Sequence, residues 1–287
     1  MPEAKIGVIG GSGLYDIEGM SDIEEVDITT PFGKPSDSIT IGKLGGVGIA
    51  FLPRHGKGHR ISPTELPSRA NIYALKSLEV EHIIASCSAG SFKKEVKPGD
   101  LLIPDQLIDR TRNRVSTFFE GGIVAHVAFA DPFCSVLSQI LLEAAKESGA
   151  SVHPSGTYVV MEGPAFSTRG ESRLYRSWGA DIIGMTALPE AKLAREAEIC
   201  YSVIGCVTDY DSWWHSAEPV TIDVILNTMR QNVSTAKNII KLAVGRIPEK
   251  RDCDCATALE TAIVTAPEAI PPEQKEKLDL LIGKYLK

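Results

Sequence analysis

Short runs of Val and Ile that end in Gly, Ser, Pro or Asp recur along this chain, with segments of helical period between them. Val47 to Leu52, "HIIAS" (His82 to Ser86), "DLLIPD" (Asp100 to Asp105), "TYVVM" (Thr157 to Met161), "DIIGM" (Asp181 to Met185) and "CYSVIGCVTD" (Cys200 to Asp209) read as buried strands. Ser68 to Leu78, Pro132 to Ser148, Leu188 to Ala197 and Thr221 to Val244 read as helices. The last of these sets Ile225, Met229, Val233, Ala236 and Ile240 along one stripe. Such alternation predicts an α/β fold, with a central, largely parallel or mixed sheet and helices outside it. With 287 residues, 43% of them hydrophobic, the chain can bury a substantial core, as one domain or two small ones. The body is expected to span residues 1–248. Residues 249–287 form a tail with a C-x-C pair, a Pro-rich "TAPEAIPPE" and a short amphipathic helix around Gln274 to Tyr285. "RTRNRVSTFFEGG" reads as a long loop.

The net charge of −7 argues against nucleic acid as a partner, because affinity there comes from neutralising phosphates. "MPEAKIGVIG" lacks the charged start and apolar stretch of a secretion signal, and no apolar run nears the roughly 20 residues that span a membrane. A soluble, cytoplasmic protein is expected. Its partners would be small molecules or copies of itself. In that compartment the six cysteines are expected to be free thiols. Cys253 and Cys255, in "RDCDCAT", are expected to be exposed by polar neighbours and open to redox chemistry. As a zinc site this pair lacks a second ligand pair at normal spacing, so no metal is expected.

Polar groups gather at the strand ends. "KIGVIGGSGL" runs from a strand into Gly10, Gly11, Ser12 and Gly13, but Asp16 stands where a dinucleotide fingerprint needs its third glycine. What is left is a turn whose Ser12 hydroxyl and amides suit an anion, or a purely structural turn. "LPRHGKGHR" places Arg54 and His55 just past a strand; the guanidinium fork matches phosphate oxygens, and the bland reading is a solvated loop. "SCSAGS" (Ser86 to Ser91) reads as a hydroxyl-rich turn. "VMEGPAFSTRGES" offers Phe166 for stacking on a flat base, against a buried Phe with a helix cap. In "GMTALPE", Thr186 reads as a helix cap or as an anion-binding hydroxyl. In "VTDYDSW", Asp209 and Asp211 follow a strand and point to the same side. One buried Asp of such a pair can stay protonated and act as an acid. The alternative is two turn-forming carboxylates.

Together these stretches resemble the methylthioadenosine phosphorylases, in the trimeric branch of the purine nucleoside phosphorylases. The resemblance rests on "GVIGGSGL", "TPFGKPSD", "RHGKGH", "PGDLLIPDQLIDRT", "PFC", "EGPAFSTRGES", "WGADIIGMTALPEAKLAREAEICY" and "VTDYDSWW", in order from residue 6 to about 245. It implies a single α/β domain with a mixed, partly barrel-like sheet, and phosphorolysis of 5′-methylthioadenosine to adenine and 5-methylthioribose 1-phosphate. By position it implies phosphate held by Ser12, Arg54, His55 and Thr186, with the turn at Cys87 and Ser88. Met185 would lie under the ribose. Phe166 and Ser167 would border the base, with Asp209 and Asp211 at its edge. Ile222, Ile225 and Leu226 would line the methylthio pocket. His126 would reach in from a neighbouring subunit of a trimer or dimer of trimers. Inorganic phosphate is a co-substrate, and no metal or organic cofactor is implied. Many relatives have Thr at Cys87, which leaves Ser86 or Ser88 to supply a hydroxyl, and some have Asn at Gly184. On the same fold the alternatives are a 6-oxopurine or methylthioinosine phosphorylase and a nucleoside hydrolase; outside catalysis, a purine-binding scaffold.

Overall fold

The computed structural model describes residues 3–11, 14, 17–214 and 222–286, apart from the side chains of residues 222–226 and 229. Its strands are β1 (Ile6–Gly10), β2 (Met20–Val26), β3 (Ile39–Leu44), β4 (Val47–Pro53), β5 (His82–Ser91), β6 (Leu101–Leu102), β7 (Gln106–Arg110), β8 (Val152–His153), β9 (Thr157–Met161), β10 (Ile182–Gly184) and β11 (Cys200–Tyr210). Its helices are α1 (Ser68–Ser77), α2 (Ser135–Glu147), α3 (Arg169–Ser177), α4 (Ala187–Glu196), α5 (Ile222–Val244), α6 (Pro272–Lys277) and α7 (Asp279–Ile282).

One mixed sheet takes in all these strands, in the order β2-β3-β4-β1-β5-β10-β9-β7, with β11 beside β5 and β6, and β6 beside β8. The pairs β4–β1, β1–β5 and β5–β11 are parallel, so their carboxyl ends emerge on one side. Ligands bind at such an edge in open α/β sheets. These strands are buried on both faces, which accounts for their continuous Val and Ile runs.

Three expectations are corrected here. "SCSAGS" is not a turn, since β5 runs on to Ser91. Its small residues look like a turn locally, but β11 pairs along the whole strand, from Cys200 opposite His82 to Tyr210 opposite Ser91. The expected Asp100 to Asp105 strand shrinks to Leu101–Leu102. The single tail helix is also broken in two, as α6 and α7 with Leu278 between them. Helix α3 is absent from the predicted helices, but the helix cap read in "VMEGPAFSTRGES" is present: the Thr168 side chain accepts from the Glu171 amide, and the Glu171 carboxylate accepts from the Thr168 amide.

The tail packs into the body. Leu259, Ile270, Leu278, Leu281 and Ile282 share a core cluster with Ile9, Leu52 and Tyr158. Buried Glu198, just past α4, accepts from the Leu259 amide and the Tyr285 hydroxyl, and its carbonyl accepts from Arg251. The tail also backs the long loop: the His126 amide donates to Ala262, and the Val264 amide to Val124.

Candidate active site

The carboxyl ends of β1, β4, β5 and β11 deliver polar groups to one place. Arg54 follows β4, and its amide donates to the Gly10 carbonyl at the end of β1. Its side chain is buried, at 2% exposure. The guanidinium grips Glu190 twice, Nε to Oε1 at 2.6 Å and Nη2 to Oε2 at 3.1 Å. It also donates to the Ser86 carbonyl at 2.8 Å, and Nη2 reaches the Ile9 carbonyl and Cys87 Sγ. Among the described residues these bonds leave one Nη1 hydrogen uncommitted, which aims a fixed cation at the Ser86–Cys87 backbone. Glu190 is completed by the Tyr201 hydroxyl at 2.9 Å.

His55 lies next to it. Nδ1 stands 2.8 Å from the Ile61 carbonyl oxygen, which can only accept, so Nδ1 carries the hydrogen and Nε2 is left for another partner. Burial, then the charge of Arg54, lowers the His55 pKa to about 4. The unliganded imidazole is therefore neutral at pH 7.

Thr186 is not a helix cap. The chain leaves helical geometry at Leu188 (φ −114°, ψ 140°), so no regular first turn presents amides to it, and its hydroxyl donates to Cys87 Sγ at 3.3 Å. Burial raises the Cys87 pKa, keeping it a neutral thiol. Ser86 Oγ lies 3.6 Å from Cys206 Sγ, whereas Ser88 is exposed. Of the two serines, Ser88 has its hydroxyl open to a ligand.

Gly184 is explained by what fills its side-chain space. A Cβ there would stand 2.2 Å from the Tyr158 hydroxyl and 3.0 Å from the Ser88 carbonyl oxygen. An Asn at this position is incompatible with Tyr158 as it sits here. The Tyr158 hydroxyl is buried beside Cys87 and Thr186, with no hydrogen-bond partner among the described residues. Gly163 (φ +70°) is held likewise, since a Cβ would meet Met185 Sδ at 2.5 Å. Met185 is thus pressed onto the segment that carries Phe166 and Ser167.

The two aspartates hold different partners. Between Val207 and Asp209 the β11 register slips by one residue, a bulge that re-aims the strand end. Asp209 accepts from the Thr208 hydroxyl at 2.7 Å. Burial raises the Asp209 pKa, and the negative charge of Asp211 adds to the rise. Buried Asp211 has Ser167 Oγ at 2.6 and 2.7 Å from its two oxygens, sharing one donated hydrogen. The Asp211 amide donates to Ser91 at 2.9 Å, and Ser212 Oγ donates to the Ser167 carbonyl at 2.8 Å. Ser167 therefore orients Asp211.

The structure brings together Arg54, Cys87 and Thr186, with His55 beside Arg54, and separately pairs Ser167 with Asp211 next to Asp209. Phe166 is 81% exposed, so the buried-Phe reading fails and its ring has an open face. His126 is also exposed, and among the described residues it makes no bond to this set. Ser12 lies outside the described residues. Ile222, Ile225 and Leu226 fall at the start of α5, with their side chains outside the described set. Sequence reasoning missed Glu190 and Arg114. Arg114, from the long loop, donates to the Met185 and Leu188 carbonyls at 2.5 and 2.6 Å and to the Met161 and Glu162 carbonyls, clamping two site segments. An acidic residue inside the apolar "TALPEAKLA" was the available signal for Glu190.

Among the described residues, then, the structure gathers a buried cation, a neutral imidazole and small hydroxyls in one group and, at the end of β11, a carboxyl pair with one member raised. Such a set can hold an anion and deliver a proton. The family model of the phosphorylase superfamily matches residues 5–244. The S-methyl-5′-thioadenosine phosphorylase of Geobacter sulfurreducens is 57% identical over 99% of this chain and 100% of its own length. That of Koribacter versatilis is 53% identical, over 99% and 97%. A crystal structure of a methylthioadenosine phosphorylase from an antarctic soil metagenomic library matches with TM-score 0.95 and 47% identity, covering 98% of this chain and 99% of the other. A mutant of the adenosine/methylthioadenosine phosphorylase from Schistosoma mansoni, in complex with methylthioadenosine, matches with TM-score 0.83 and 37% identity, covering 90% and 96%.

Proposed function

The chain belongs to the phosphorylase superfamily, and from that premise we propose that it cleaves 5′-methylthioadenosine with phosphate, giving adenine and 5-methylthioribose 1-phosphate. The observation that carries this reading is the pair at the end of β11, with Asp209 raised by burial beside an Asp211 that Ser167 holds as an acceptor. A purine leaves poorly as an anion. Protonated Asp209 gives N7 a proton or a strong hydrogen bond as the glycosidic bond breaks and the sugar becomes oxocarbenium-like. The phosphate dianion stands on the other side as nucleophile. Arg54 supplies its remaining Nη1 hydrogen and Ser88 its hydroxyl, and Thr186 joins them by turning its hydroxyl from Cys87 to the phosphate. A phosphate beside His55 offsets the Arg54 charge, so phosphate binding favours a proton on Nε2. This chemistry uses no metal or organic cofactor.

The base follows from hydrogen-bond polarity. Adenine presents an amino donor at C6, which an Asp211 carboxylate accepts; a 6-oxopurine presents an acceptor there. Met185 lies under the ribose and exposed Phe166 borders the base. The exposed His126 reaches a neighbouring subunit's site in a trimer or dimer of trimers. The working compartment is the cytoplasm; no described helix is long and apolar enough to cross a membrane. Initial rates at saturating phosphate test the substrate class. The kcat/KM for methylthioadenosine should exceed those for methylthioinosine and inosine by roughly a hundredfold or more, since the wrong base leaves buried groups unpaired. A preference for inosine refutes the adenine assignment.

A further inference from the structure

Four of the six cysteines converge on one point from three separate stretches of chain. Cys134 precedes α2, and Cys200 opens β11. The Cys134 amide donates to the Tyr201 carbonyl at 2.9 Å, which brings these two thiols side by side. The C-x-C pair arrives from the tail. Contrary to the sequence expectation, Cys255 is buried and Cys253 half-buried. The four sulfur atoms all lie within 4.8 Å of one another, and Cys200 Sγ stands 3.4 Å from Cys253 Sγ. All four are free thiols. The second ligand pair that the sequence spacing lacked is thus supplied by the fold.

We propose that Cys134, Cys200, Cys253 and Cys255 form a closed tetrathiolate site for a single zinc ion, which fastens the C-terminal tail to the body. Tetrahedral zinc holds sulfur at about 2.3 Å, which spaces the four sulfurs about 3.8 Å apart. The observed spacing brackets that value, so the ion needs only a small contraction. So compact a set suits one ion, not a multi-iron cluster. Soft thiolates select zinc, copper(I) or iron over magnesium or calcium, and a compact S4 set matches zinc. With four protein ligands no position is left for water, so the site is structural and separate from the Asp209 chemistry. A cleft of about 750 Å³, lined by Cys134, Cys253 and Cys255, gives the ion a way in. Next to the cluster, His82 pairs with Cys200 across the sheet, and its buried Nδ1 has no hydrogen-bond partner among the described residues. On binding, the thiols lose their protons to solvent and no redox step is involved. The tail so fixed carries Ala262 and Val264, which hold the segment bearing His126.

The test uses the full chain, purified anaerobically under reductant, given one equivalent of zinc and desalted. Metal is counted by mass spectrometry, and reactive thiols are titrated before and after a strong chelator. The expected result is about one zinc per chain, four thiols that react only after chelation, and a melting temperature that chelation lowers by several degrees. Cys253→Ser and Cys255→Ser should retain about a tenth of the zinc or less, while Cys206→Ser, outside the cluster, keeps it all. Cobalt in place of zinc should show intense thiolate charge transfer in the near ultraviolet. The wild-type counts stand even where a variant fails to fold. Less than about 0.1 zinc per chain with all thiols reactive overturns the proposal, as does equal zinc in the Cys253 and Cys255 variants. Disulfides among these four in metal-free protein taken directly from cells overturn it too.

Discussion

Asp209→Asn lowers kcat on methylthioadenosine by roughly a hundred- to ten-thousand-fold, the range for loss of a general acid. The amide keeps the side chain's size and its acceptor for Thr208, so the strand end stays in place and only the acidic proton is lost. The pH profile distinguishes this from a packing effect. In the proposed acid role Asp209 acts in its protonated form, and burial with Asp211 raises its pKa. Wild-type kcat should therefore fall as pH rises through that raised pKa, and the Asn variant should lose this limb of the profile. A variant with near wild-type kcat removes Asp209 from the acid role.

Glu190→Ala destabilises the protein by about 3–5 kcal/mol, because it leaves the Arg54 charge buried without a partner. The two side chains are only 3% and 1% exposed, so water cannot take over the lost bonds. The Tyr201 hydroxyl loses its acceptor as well. Freed from its two-point grip, Arg54 no longer presents its last hydrogen in a fixed direction, and the KM for phosphate rises. Urea unfolding measures the first effect and initial rates at varied phosphate the second. Glu190→Gln keeps one acceptor and should lie between. A stability within 1 kcal/mol of wild type for the Ala variant would mean that the pair does not hold the site.

What the sequence revealed of this site was what strand ends reveal. Arg54, His55, Thr186, Asp209 and Asp211 each follow an apolar run, and a polar group there has to face an opening or a partner. What it hid depends on contacts distant in sequence. Glu190 is a charged residue in a helix until the fold sets Arg54 against it. Arg114 sits in a loop with no pattern of its own, yet its guanidinium meets four carbonyls from two segments. "SCSAGS" has the composition of a turn, and only its pairing with β11 makes it a strand. The C-x-C pair lacked partners at metal-site spacing because Cys134 and Cys200 come from the far side of the chain. For the same reason the resemblance to relatives with Asn at Gly184 gave no hint of Tyr158, whose hydroxyl occupies that space.

On the proposed reading the anion-binding residues hold the nucleophile itself. Purified enzyme is given methylthioadenosine with and without inorganic phosphate; adenine release is followed by its absorbance and the sugar product by phosphorus NMR. Adenine should appear only with phosphate, matched one for one by 5-methylthioribose 1-phosphate. Adenine released at the same rate without phosphate, with free 5-methylthioribose as the other product, would contradict it.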